Sequence, residues 1–131
     1  MKILFLDDDV DRYQHLCKYK PSWIEIVHVS TVLEAQEWMM NREFDLLMLD
    51  HDLGANAPGG DGIELARWIS RKTDDFKWNP DCQIIIHSMN PIGAGNMVSE
   101  FGLADIRAVY IPGAWTKMYE ENGNWVIKRT F

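Results

Sequence analysis

Residues able to do chemistry gather at three places in this chain, each directly after a short apolar run. Ile3-Leu4-Phe5-Leu6 runs into Asp7-Asp8-Asp9, Leu46-Leu47-Met48-Leu49 into Asp50-His51-Asp52, and Ile84-Ile85-Ile86 into His87-Ser88-Met89-Asn90. Adjacent carboxylates repel, so such a cluster costs stability unless a cation or a proton relieves it. Hard ions such as Mg²⁺ are commonly held by one or two carboxylates together with phosphate oxygens. For Asp7, Asp8 and Asp9 alone, a helix cap beside solvated acids explains the residues as well as a metal does. Asp50 adds a converging carboxylate after a second buried strand, and the set Asp7, Asp8 and Asp50 then favours a divalent ion, Mg²⁺ or Mn²⁺. His51 and His87 are the natural groups to move protons at neutral pH. Ser88 and Asn90 offer a hydroxyl and an amide to a phosphate oxygen. Gly93 and Gly95 follow Pro91 at a helix start, where free N–H groups suit an anion and glycine permits close backbone approach. His15 and His28 read as structural. Trp115 reads as core or hairpin packing, with stacking on a base as the alternative.

These groups need a scaffold that brings strand ends together. An apolar run of about four residues reads as a buried strand of a parallel sheet. The pattern predicts strands at 2–6, 23–29, 45–49, 83–86 and 107–111, alternating with helices. Asp9 or Asp11 caps the first helix, which runs to about Tyr19 before Pro21. Ser30 or Thr31 caps the second, with Glu34 placed as in a capping box and Val32, Ala35, Trp38 and Met39 forming an apolar face. A loop of Gly, Asn and Pro (53–60) precedes a helix starting at Asp61, with Ile63, Leu65, Ala66 and Ile69 on its apolar face. A polar loop spans 74–82, and the helix from Pro91 ends near Gly102. Right-handed crossovers and doubly wound order place the third strand beside the first and the fourth beside the third. Ligands bind outside the carboxyl ends of such strands, which is where the three clusters fall. The end of the chain breaks the alternation: Thr116–Glu120 and Trp125–Thr130 read as a β-hairpin around Asn122-Gly123.

At 131 residues with 47% hydrophobic and 25% charged side chains, one domain spanning 1–131 is expected, with a core over 1–113 and the hairpin over 114–131. The net charge is −7 and the pI near 4.9, which argues against a broad footprint for duplex nucleic acid. It leaves room for an enzyme that touches one nucleotide or one strand end. Cys17 and Cys82 suit a reducing cytosol as small, buried or half-buried thiols. Met1-Lys2 leads straight into a strand, so no signal peptide is expected, and no apolar stretch approaches membrane-spanning length. A cytoplasmic protein with no membrane partner follows.

The motifs K-I-L-F-L-D-D-D, L-M-L-D-H-D-L and D-G-I-E-L resemble those of response-regulator receiver domains over residues 1 to about 113. The resemblance implies a flavodoxin-like, doubly wound five-stranded parallel sheet, with the hairpin replacing the last helix. It implies Mg²⁺ on Asp7, Asp8 and Asp50, joined by the backbone carbonyl of Asp52, and Asp50 as phosphoacceptor. Receivers carry a lysine before the proline after the fifth strand; here Ile111 precedes Pro112. The small hydroxyl residue after the fourth strand is replaced by His87. A receiver-like group with L-D-H-D-L-G and H-S-x-N-P motifs is more similar: Leu49 to Gly54 and His87 to Pro91 match it. This is the cyclic-phosphate processing receiver family, and the likeness implies action on nucleotides or RNA ends bearing a cyclic phosphate.

The expectation is therefore a metal-dependent phosphoesterase, a hydrolase with His51 and His87 as acid and base in an order left open, and Ser88, Asn90, Gly93 and Gly95 around the phosphate. The alternative is a non-catalytic receiver or interaction module, with Asp50 as phosphoacceptor and the hairpin as a possible homodimer edge.

Overall fold

The computed structural model describes residues 1–18, 20–71 and 76–118. Five parallel strands form one sheet: β1 (Lys2–Leu6), β2 (Glu25–Val29), β3 (Leu46–Leu49), β4 (Gln83–Ile86) and β5 (Val109–Tyr110), in the order β2-β1-β3-β4-β5. The helices between them are α1 (Val10–Lys18), α2 (Val32–Asn41), α3 (Gly62–Ser70) and α4 (Pro91–Leu103). This is the doubly wound α/β arrangement expected from the alternating pattern. Among the described residues no helix is long and apolar enough to cross a membrane.

The central strands are apolar on both faces because both are covered. Leu4, Leu6, Leu47, Leu49, Ile84 and Ile86 face α2, α3 and α4 through Val32, Ala35, Met39, Leu65, Ala66, Ile69, Met97 and Phe101. Ile3, Phe5, Leu46, Met48 and Ile85 face α1 through Leu16, and are closed over by Ala114 and Met118. All four of Ile3, Leu4, Phe5 and Leu6 are wholly buried, worth roughly 1.5–3 kcal/mol each.

Local chemistry settles the element ends. Asp9, not Asp11, caps α1: its carboxylate accepts from the amides of Asp11 at 2.9 Å and Arg12 at 3.4 Å. Thr31, not Ser30, caps α2, accepting from the amide of Glu34 at 3.2 Å. Asp61 stands at the start of α3, but its carboxylate accepts from the Leu53 amide at 3.1 Å and so closes the 53–61 loop. Past Gly102, α4 continues to Leu103, and Asp105 at φ 58° turns the chain.

Several expectations are corrected. Trp38 is 38% exposed rather than on the buried face of α2; its ring lies 5.6 Å from the Arg42 guanidinium. Of the loop expected at 74–82, residues 74 and 75 lie outside the described residues, and Phe76 is buried, packed 4.5 Å from Trp68. The fifth strand pairs only over Val109–Tyr110. Ala114–Thr116 form a 3-10 turn, so Thr116 does not begin a strand. The remainder of the expected hairpin, 119–131, lies outside the described residues.

Candidate functional site

Parallel register builds the site. Leu6, Leu49 and Ile86 are lateral partners across β1, β3 and β4. The next residues, Asp7, Asp50 and His87, therefore end side by side. The ladder continues one step past the strands: the Asp50 amide donates to the Leu6 carbonyl and the His87 amide to the Leu49 carbonyl, each at 3.0 Å. Side chains alternate along a strand, so Asp7, Asp50 and His87 fall on the same face as Phe5, Met48 and Ile85, the face covered by α1. One ligating atom from each lies within 4.8 Å of the others.

Asp7 is fully buried and Asp50 is 3% exposed. Burial opposes ionisation of Asp7, yet hydrogen bonds from His87 and the Asp9 amide, with the electrostatic pull of the neighbouring His87 and Arg12, outweigh it and hold its carboxyl below the ordinary 3.8. Burial and the neighbouring Asp7 charge push Asp50 above that value, against the opposing pull of His87, the His51 amide and Ser88. Two neighbouring buried acids thus have their ionisation driven in opposite directions. Asp8 points the other way along the chain, exposed at the rim, and its carboxylate makes no hydrogen bond or ion pair among the described residues. An open cleft above them is lined by Asp8, Asp9, Asp50 and Asp52, with Ser88 and Asn90 on the far side.

Arg12 is the cation of this cleft, and the sequence reading passed over it. Its Nη1 lies 3.3 Å from Asp7 Oδ2 and 3.6 Å from Asp50 Oδ2, and its Nε 3.5 Å from Asp9 Oδ2. The guanidinium sits 4.5 Å from the centre of the Trp115 ring. The available signal was spacing: Arg12 falls in the first turn of the helix that Asp9 caps, three residues on, where i, i+3 neighbours meet. Trp115 packs, as expected, its ring nearly perpendicular to that of His87 with centroids 5.5 Å apart. His28 is structural, as expected, its Nε2 bonded to the Asp7 carbonyl at 2.8 Å. The rings form a belt below the carboxylates: Tyr13 on His28 (4.5 Å), His28 by Phe5 (5.9 Å), Phe5 on His87 (4.8 Å), then Trp115 and Arg12.

The two histidines do not meet. His87 is wholly buried; its Nε2 donates to Asp7 Oδ2 at 3.0 Å, and its Nδ1 has no hydrogen-bond partner among the described residues. His51 falls on the opposite face from Asp50 by strand alternation. Its Nδ1 lies 2.6 Å from Asp52 Oδ1, in a separate group with Asp61. Its ring lies against α4 so closely that a Cβ on Gly93 would stand 2.5 Å from the ring Cγ. Neither imidazole lines the cleft.

The expected phosphate contacts are also partly engaged elsewhere. Asn90 caps α4, accepting from the Gly93 amide at 3.0 Å, and donates to both Asp52 oxygens at 3.2 and 3.4 Å. The Gly93 amide is thus spent on the cap. Gly95 lies one turn into α4, open to solvent and away from the cleft. Buried Ser88 faces the cleft, and its hydroxyl accepts from the Asn90 amide at 3.0 Å.

A profile of the cyclic-phosphate processing receiver domain family matches residues 2–102. Comparison with curated proteins gives no match. Among solved structures, the chain is similar to a CheY-like response regulator receiver domain from Methanospirillum hungatei (TM-score 0.61, 19% identity, 85% of this chain and 79% of that one). It is similar to the response regulatory domain of protein mrkE from Klebsiella pneumoniae (0.60, 23%, 93% and 87%). A two-component response regulator from Clostridium difficile scores 0.61 at 23% identity, over 86% and 82%. What these share with the chain is receiver architecture. With His87 buried beneath the cleft and His51 turned to the opposite face, so that neither imidazole lines it, the phosphoesterase expectation is corrected: the findings support the non-catalytic receiver reading instead.

Proposed function

Because the chain belongs to the cyclic-phosphate processing receiver domain family, we propose that it works as a receiver module: a divalent-cation site on Asp7, Asp8 and Asp50, with Asp50 as phosphoacceptor. The observation that carries this reading is the position of Asp50, at the end of a central strand, on the floor of an acidic cleft, beside buried Asp7. The donor set fits Mg²⁺, which takes hard oxygen ligands from one or two carboxylates and keeps several waters. The Asp8 carboxylate, at the rim, is uncommitted among the described residues. The Asp52 carboxylate is bonded to His51 and Asn90, so Asp52 would contribute through its backbone carbonyl. The ion would neutralise the paired carboxylates and the charge of an incoming phosphoryl group.

In the transfer, an Asp50 oxygen attacks the phosphorus of a small acyl phosphate. The bond from phosphorus to the donor's carboxylate breaks, and the donor leaves as its carboxylate. Ser88 and the Arg12 guanidinium lie where they would face the new phosphoryl oxygens. Incubation with acetyl phosphate and Mg²⁺, read by intact mass, tests this. One phosphoryl adduct on the wild type and none on Asp50→Asn is expected. No adduct, or an adduct that survives Asp50→Asn, refutes it.

A further inference from the structure

The cleft presents five carboxylates, Asp7 beneath it and Asp8, Asp9, Asp50 and Asp52 along it, against one guanidinium. That guanidinium does not rest at the rim. It lies between the two buried acids, touching both Asp7 and Asp50 through one nitrogen. Its other face lies on Trp115, which the 3-10 turn after Pro112 holds in place: buried Ala114 pins the turn, and Gly113 at φ 68° lets it form. The Arg12 side chain is 29% exposed, so part of it opens to solvent.

We propose that Arg12 is a resident counter-cation that holds the carboxylate pair together without metal and is displaced from it by a divalent ion. This deepens the receiver reading and rests on it. The physical case is competition. Asp7 and Asp50 cannot both be buried and ionised at neutral pH without a positive partner. The guanidinium supplies one charge at 3.3–3.6 Å. A divalent ion held by the same carboxylates would supply two and would compete with Nη1 for them. Displacement is partial. Nε keeps Asp9, 3.5 Å away on the same helix turn, and Trp115 keeps the guanidinium plane. The freed Nη1 then faces the cleft, where an anion on Asp50 would sit. Lysine would not serve equally, because an ammonium lacks the flat face that lies on the indole and the fork that reaches several acids at once.

The test is calorimetric titration with MgCl₂ of the wild type, Arg12→Gln and Arg12→Lys. Arg12→Gln is expected to bind Mg²⁺ about tenfold more tightly, the scale of removing one charge-assisted competitor. Its metal-free melting temperature is expected to fall and to recover with Mg²⁺. Arg12→Lys should lie between the two. Unchanged or weaker Mg²⁺ affinity in Arg12→Gln, with an unchanged circular dichroism spectrum, overturns the proposal and leaves the receiver reading standing. No Mg²⁺ binding by any of the three removes the receiver reading itself. Should the variants not fold, the wild type still decides the matter by NMR. Arg12 Nη resonances, separated by restricted rotation in the metal-free protein, are expected to average as Mg²⁺ saturates, and resonances that stay separate at saturation overturn the proposal.

Discussion

Asp50→Asn should make the metal-free protein more stable and, in the same experiment, deprive it of stabilisation by metal. A carboxylate oxygen of Asp7 and one of Asp50 lie within 4.8 Å, where two full charges repel by about 3.5 kcal/mol or more at an effective dielectric near 20. The Arg12 nitrogen 3.6 Å from Asp50 offsets about 4.6 kcal/mol on the same scale. Arg12 is partly solvated and shared with Asp7, so roughly half of that survives. The balance predicts stabilisation of about 1 kcal/mol for the isosteric amide, which can still accept from the His51 amide, and a melting temperature about 3–5 °C higher. Magnesium reverses the order. At a concentration about 100-fold above its dissociation constant, wild type gains about 2.7 kcal/mol, while Asp50→Asn, lacking one carboxylate ligand, gains little. Thermal melts of both proteins with chelator and with MgCl₂ read the crossing. A variant that melts below wild type in chelator, with native circular dichroism, would show that the two acids are not in conflict, and the electrostatic account of the site would fail.

His87→Ala removes a buried ring between Phe5 and Trp115 and takes from Asp7 one of its donors, leaving those of the Asp9 amide and Arg12. It should cost about 3 kcal/mol in urea unfolding, with His87→Gln recovering part of the loss; a neutral His87→Ala would contradict the buried pairing. The pH profile of the metal-free protein carries both acids. The stabilisation tied to Asp7 is complete above the ordinary 3.8 and is lost as pH falls through its depressed value. Asp50 acts oppositely: its penalty is present at neutral pH and fades as pH falls through its raised value toward 3.8. Wild type should therefore gain stability relative to Asp50→Asn on mild acidification before both decline, and parallel curves across that window would exclude a raised Asp50.

Most of the scaffold was legible because fully covered parallel strands leave continuous apolar runs, and β1, β3 and β4 are such runs. Their tips were legible for the same reason: residues that follow strands in register must line one edge. Of the two histidines expected beside the aspartates, His87 stands with Asp7 and Asp50, whereas His51 turns away, which reading each tip as a unit missed. Alternation does not stop at the last paired residue, so Asp50 and His51 diverge to opposite faces, and His87 follows Phe5 downward into the core. Arg12 escaped notice because an arginine near acids at a helix start looks like an ordinary solvated pair. Only the return of the chain after β5, bringing Trp115 beneath it, distinguishes it. Trp38 carried a core residue's type at a core spacing, yet the sheet needs only Val32, Ala35 and Met39 from that helix.

The line of rings under the carboxylates begins at Tyr13 and ends at Arg12, neighbouring positions of α1. It is a hoop rather than a row. A tilt of that helix toward β2 would slacken the Trp115 end, and a tilt toward β5 would slacken the Tyr13 end. The helix bearing the site's cation is thus held on one face of the sheet at two places, by His28 on β2 and by Trp115 after β5, through a single closed circuit of side chains.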